Sequence, residues 1–109
     1  MKAYVRSAAG EDILRQYRYY LLERDAAQVA QRFLDAVQSA IEELCRAPGL
    51  GAPRPLKNAA LAGLRSWPVR GFPSMRIFYL LSGDKLRVVR VLHGRRDIAA
   101  LLEKEPEDE

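Results

Sequence analysis

Cysteine and histidine are almost absent from this 109-residue chain: Cys45 and His93 are the only ones. Cys45 has no second cysteine to pair with, which excludes a disulfide-stapled scaffold and fits a reducing cytoplasm. A zinc cluster of Cys and His ligands is excluded for the same reason. No apolar run approaches the roughly 18 residues of a membrane span. The opening MKAYVRSAAG lacks the apolar core of a secretory signal. Neither a phosphate-cradling glycine loop nor a GxSxG nucleophile elbow occurs. Acids are scarce over one long stretch, because residues 46–102 carry eleven basic side chains against Asp84 and Asp97 alone. A glycosidase-like pair of carboxylates has no place there.

What remains is an ordinary globular composition, 49% hydrophobic and 29% charged. A domain of this length hides roughly 65% of its extended-chain surface, enough for a core without disulfides or metal. The sequence places one domain over residues 1–102. An acidic tail, 103–109, holds five acids against Lys104 and is expected to fray in solvent. The net charge of +4 therefore conceals a strongly basic half, which can form a positive face. Such a face suits nucleic acid, an acidic protein segment or an acidic pocket.

Hydrophobic spacing organises the chain. Lys2 to Arg6 alternates polar and apolar side chains, as a short strand does. Ser7 is placed to cap a helix whose apolar positions are Ile13, Leu14, Tyr17, Tyr20 and Leu21. Asp25 and Gln28 form a capping-box pattern ahead of a second helix with the stripe Val29, Phe33, Val37, Ala40, Ile41 and Leu44. The two helices fold back on one another as an antiparallel hairpin. Pro48-Gly49 ends the second, and residues 49–63 are expected to be loop. Three β-like runs follow, at 64–69, 75–81 and 86–93, with Pro68 marking an edge or a bulge. Ser82-Gly83-Asp84-Lys85 is a tight hairpin turn. Arg95 to Leu102 is placed in a short final helix. Helices grouped together and strands grouped together argue α+β. In the last strand neither side is fully polar. The sheet face away from the helices is therefore expected to be part apolar and studded with arginine, and to need a partner peptide to cover it.

The candidate binding groups are the cations Arg54, Lys57, Arg65, Arg76, Arg87, Arg90, Arg95 and Arg96, with His93. Arginine keeps its charge and offers a planar donor fork that matches carboxylates and phosphates. Cys45 ends an apolar helical stripe and reads as a structural thiol.

Three blocks bring a family into view. Gly63-Leu64-Arg65-Ser66-Trp67-Pro68-Val69, then Arg76-Ile77-Phe78-Tyr79, then Arg90-Val91-Leu92-His93-Gly94-Arg95-Arg96-Asp97 resemble the GLRS-x-PV, RIFY and RVLHGxRD patterns of ParE, a branch of the RelE/ParE toxin superfamily. The resemblance runs from Tyr4 to about Leu102. It implies a RelE/ParE-like α+β fold, with an N-terminal strand, a helical hairpin packed on an antiparallel sheet and a short C-terminal helix. It implies the toxin half of a bacterial type II toxin–antitoxin pair acting in the stress response, cytoplasmic, without cofactor or metal. Its partners would be a ParD-like antitoxin, in a hetero-oligomer, and DNA gyrase, poisoned by binding and not by catalysis. On this basis Arg65, Arg76, Arg87 and Arg90 are assigned to antitoxin binding, and His93, Arg95 and Arg96 to the target. The alternative is the RelE-like branch, a ribosome-dependent mRNA endoribonuclease. That chemistry needs a base, an acid and phosphate-binding cations. RelE-like enzymes resemble one another in a tyrosine near the C-terminus, whereas the last tyrosine here is Tyr79. A third reading is a degenerate toxin that only binds its antitoxin. Met75 and Arg95 depart from the ParE pattern, which often has an aromatic and a small residue at these positions.

Overall fold

Two hydrophobic periods, one of about 3.6 and one of 2, dictate two kinds of layer. The computed structural model of the chain describes residues 1–96 and 98–105. Strand β1 (Lys2–Val5) leads into helix α1 (Ser7–Arg18), which runs on through a π-helical turn, Tyr19–Glu23. Helix α2 (Ala27–Arg46) folds back beside it. Then come β2 (Ala52–Pro53), a 3₁₀ turn at Ala59–Leu61, β3 (Arg65–Val69), β4 (Phe72–Ser82), β5 (Lys85–His93) and helix α3 (Ile98–Glu103). The fold is α+β, and the five strands form one sheet in the order β1-β5-β4-β3-β2.

The meander β3–β4–β5 is antiparallel, and its tight turn closes where Ser82 faces Lys85. Gly83 takes φ +62° there, a conformation glycine adopts without steric cost. β1, however, lies parallel to β5, so the sheet is mixed and not wholly antiparallel. Val5 faces Val88, and the chain then leaves the sheet, α1 taking over alongside the C-terminal half of β5.

Several local expectations give way to longer-range forces. Arg6 occupies the cap position of α1, and Ser7 is already helical. The Asp25/Gln28 capping box does not form, because α2 begins after Ala26 without a side-chain cap. Asp25 instead adopts φ +45°, turning the chain out of the π-helical turn; aspartate tolerates this region better than most residues. The expected loop at 49–63 contributes β2, paired with β3. Pro68 coincides with a register shift against β4. β4 starts at Phe72, three residues earlier than its spacing suggested.

The helices bury one face of the sheet. Phe33, Val37, Ala40 and Leu44 of α2 meet Val69, Met75, Ile77, Tyr79, Leu86, Val88 and Val91, with Ile13, Tyr20 and Ile41 packed at the margin. Leu14 lies outside this core and is half exposed. The other sheet face carries a second cluster, Leu61, Leu64, Phe78, Val89, Leu92, Ile98 and Leu102. A β-bulge makes both clusters possible. Phe78 faces Arg90 while Tyr79 faces Val88, leaving Val89 as an extra residue in β5. Past the bulge the alternation shifts, so Val91 reaches one core and Leu92 the other.

The apolar part of the second face is thus covered by the chain itself, through α3 and residues 61–64, and not left for a partner. Asn58 fastens this cover: its amide donates to the carbonyls of Leu102, Glu103 and Glu105 at 3.0, 3.4 and 3.2 Å. The acidic segment expected to fray from Glu103 onwards is therefore held as far as Glu105. The helix expected from Arg95 begins only at Ile98, because Arg95 and Arg96 belong to the turn after β5. Asp97 and residues 106–109 lie outside the described residues, and with them the end of the tail.

Tyr79 ties the loop after α2 to the sheet. Its hydroxyl donates to the Pro48 carbonyl at 2.7 Å and accepts from the Gly51 N–H at 2.9 Å. Burial pushes the phenol's pKa above its ordinary value. A Cβ on Gly51 would sit 2.5 Å from the Tyr79 hydroxyl and 2.9 Å from the Ser66 carbonyl oxygen. Gly51→Ala is therefore expected to cost about 1–3 kcal/mol, as overpacking does, measured as a fall in the urea midpoint at constant m-value.

Candidate functional site

The cations that the sequence groups together are separated by the sheet. Arg90 sits where β1 ends and the edge of β5 loses its strand partner. Its Nε and Nη2 donate to the two carboxylate oxygens of Asp12 at 2.6 and 2.8 Å, and its Nη1 donates to Glu105. Asp12, on α1, also accepts the Val91 N–H at 3.0 Å, replacing the strand partner that β1 no longer supplies. These bonds to Asp12 hold the Arg90 pKa above the ordinary guanidinium range despite burial. Arg90 is occupied within the fold.

Arg65 is also committed internally. Its Nη1 donates to the Gly51 carbonyl at 2.6 Å and holds the loop that Tyr79 grips. Arg76 lies on the second face, where Nε and Nη2 both donate to Ser66 Oγ at 3.3 and 3.2 Å. Burial lowers its pKa, and the nearby charge of Arg54 lowers it further. The Arg54 guanidinium rests 5.5 Å above the Phe78 ring, a cation–π contact. Arg87 faces Tyr4 of β1 on one side and Leu80 on the other, half buried. Lys57 is exposed.

His93, Arg95 and Arg96 do come together, at the end of β5. The Arg95 N–H donates to His93 Nδ1 at 3.2 Å, and the Arg96 N–H donates to the His93 carbonyl at 3.1 Å. The imidazole thus accepts at Nδ1 and organises the turn that presents two exposed arginines. Its other side opens on a cleft of about 560 Å³ lined by Gln16, Tyr19, Tyr20, Arg24, Phe72 and Ser74, among others. Arg24 reaches the Tyr19 hydroxyl at 3.5 Å there. Sequence spacing missed Arg24 and the tyrosine pair as neighbours of His93, because the π-helical turn changes which side chains share a face. It also missed Asp12, an acid midway along an amphipathic helix with no local sign of its distant partner. Large apolar side chains stay exposed at Tyr4 and Val5 of β1, at Leu14 and Leu22, and at Tyr19 on the rim of this cleft.

Comparison with known proteins agrees with this architecture. The family model described as "ParE toxin of type II toxin-antitoxin system, parDE" matches residues 4–98. A curated relative, Toxin ParE3 of Caulobacter vibrioides, is 30% identical over 82 residues, covering 75% of this chain and 76% of that protein. A chain in the solved structure "Chromosomal ParDE TA system from P. aeruginosa" superposes with a TM-score of 0.66 at 17% identity, covering 85% of this chain and 95% of its own. That structure speaks to the fold, whereas the family match extends over nearly the whole domain, including each motif from the first strand to the turn after β5. The chain belongs to the ParE toxin family of type II toxin–antitoxin systems.

Proposed function

We propose that this toxin acts in the cytoplasm by binding DNA gyrase and leaving its DNA breaks unsealed, and that a ParD-like antitoxin neutralises it in a hetero-oligomeric complex. The family match over residues 4–98 carries this reading. The geometry around His93 supports a binding role over a catalytic one, since Nδ1 is engaged with the backbone of the turn that presents Arg95 and Arg96. Those two exposed arginines are the target-facing groups. The antitoxin surface centres on Arg87 and its β1 neighbour Tyr4, where charge and exposed apolar area adjoin. An acidic amphipathic segment gains steering from the first and burial from the second. Arg65, Arg76 and Arg90 then act in that complex mainly by holding the sheet that presents it.

The test is purified toxin with gyrase and supercoiled plasmid, scored for linear DNA, beside a ribosomal messenger-cleavage assay. Linear DNA is expected, with no messenger cleavage. His93→Gln keeps an acceptor for the Arg95 N–H while removing the imidazole, and is expected to retain most of the toxicity. A His-dependent ribonuclease would lose roughly 10²–10⁴-fold. Messenger cleavage without stabilised gyrase–DNA breaks would replace the gyrase reading with the ribonuclease one.

A further inference from the structure

The arginines of the basic half differ in how their charge is met. Arg90 has two carboxylates, and Arg65 has loop carbonyls. Arg54 and Arg76 have neither. Among the described residues no carboxylate lies within 4.0 Å of either guanidinium. Their charges instead oppose each other, and Arg76 is partly desolvated as well. Two like charges held together without a counter-charge cost free energy that a bound anion returns.

Both groups are held in place by their neighbours. Arg54 is set by its stacking on Phe78, a fully buried ring. Arg76 is set by its two bonds to Ser66 Oγ, itself fully buried. Ser66 Oγ accepts both of those bonds and is closed to solvent, so its part is to aim the Arg76 guanidinium. Ser66 and Phe78 face one another across β3 and β4, so hydroxyl and ring share the sheet face that carries Arg76. A Cβ on Gly94 would lie 3.6 Å from Arg76 Cδ, which places the Arg76 stem against the turn bearing Arg95 and Arg96.

We propose that Arg54 and Arg76, held by Phe78 and Ser66, form a cradle for a phosphate oxyanion, and that its occupant is a backbone phosphate of nucleic acid. Two guanidinium groups suit the several acceptor oxygens of a phosphodiester. The surroundings favour a polyanion over an amphipathic peptide. The large exposed apolar side chains lie on β1, on the outer flank of α1 and its π-helical turn, at Leu50 and at Leu81; Leu81 pairs with Leu86, so it is on the helix-covered face. Around the cradle the surface offers cations: Arg54, Arg76 and, along the adjoining turn, Arg95 and Arg96. A row of cations is what a phosphate backbone engages, without reference to base sequence. The inference concerns bare nucleic acid and stands whether or not gyrase is the target.

The test is fluorescence anisotropy of short labelled oligonucleotides with purified toxin, titrated over a range of salt. Single-stranded DNA, duplex DNA and RNA form three arms, and a poly-glutamate chain forms a fourth. Binding at low salt is expected for the nucleic acids, and the tightest arm identifies the source of the phosphate. Arg54→Gln and Arg76→Gln are each expected to weaken it roughly tenfold and to reduce the salt slope by about one. Lys85→Gln removes the same charge from the exposed β4–β5 turn and is expected to leave affinity within about twofold, with circular dichroism confirming that all variants fold. Arg76→Lys keeps the charge but not the fork, and is expected to fall between wild type and Arg76→Gln. Equal loss in Lys85→Gln would reduce the site to diffuse charge and overturn the proposal. So would the absence of nucleic-acid binding at low salt. Arginine-dependent binding of poly-glutamate alone would overturn it in favour of an acidic protein partner.

Discussion

Asp12→Ala is expected to destabilise the fold by about 3–5 kcal/mol, the usual cost of stripping a buried ion pair of one partner. Asp12 is only 4% exposed and serves three donors at once: Arg90 Nε, Arg90 Nη2 and the Val91 N–H. Removing it leaves Arg90 with Glu105 alone and orphans a buried backbone N–H beside the bulge. Charge and capping contribute separately, and Asp12→Asn distinguishes them. The amide oxygen still accepts from Val91, so the asparagine variant should lose clearly less than the alanine variant. Arg15 also approaches Asp12, at 3.4 Å, but its side chain is 65% exposed. Arg15→Ala is therefore expected to stay within about 0.5 kcal/mol of wild type, because an exposed ion pair contributes little. Urea denaturation of the four proteins measures all of this. A loss at Arg15→Ala matching that at Asp12→Ala would show that the strap from α1 to β5 is not the seat of the stability.

That strap also shows where sequence reading succeeds and where it stops. Phe33, Val37, Ala40 and Leu44 recur at three- and four-residue spacing, and all four are buried as that spacing requires. The turn at Gly83 was legible for a similar reason, since its residues meet a local backbone demand. Asp12 and Arg90 are 78 residues apart, and periodicity carries no signal for a pair so distant. The bulge at Val89 belongs to the same class. It exchanges the faces of the residues beyond it, so Val88 and Val91 share one core and Val89 and Leu92 the other, a spacing that strict alternation does not give. The short helix α3 was expected, but not its role: Ile98 and Leu102 close the second core that seemed to need a partner. At the candidate site, the cluster His93-Gly94-Arg95-Arg96 was visible because it is contiguous. The pairing of Arg54 with Arg76 was not, because it depends on strand register and on the stacking of Arg54 over Phe78.

Packing and site meet at Phe33. Its ring centroid lies 5.7 Å from that of Tyr20 and 5.3 Å from that of Phe72, while Tyr20 and Phe72 are 5.6 Å apart. This aromatic triangle joins α2, the π-helical turn and the first residue of β4, three separate elements of the chain. Tyr20 and Phe72 in turn line the cleft beside His93, so Phe33 supports the cleft from within the core without lining it. Phe33→Ala is expected to cost about 3–5 kcal/mol, combining lost burial with a cavity that rigid neighbours fill poorly. Phe33→Leu keeps most of the volume and should cost about 1 kcal/mol, but it breaks the ring contacts. Near-ultraviolet circular dichroism should therefore weaken in both variants, whereas the urea midpoint falls steeply in only one. Leu14→Ala provides the contrast, since Leu14 is 50% exposed on the outer side of α1 and its truncation is expected to change stability by less than about 0.5 kcal/mol. Were Leu14→Ala as damaging as Phe33→Ala, the assignment of inner and outer helix faces would be wrong, and the cleft beside His93 would lose the support described for it.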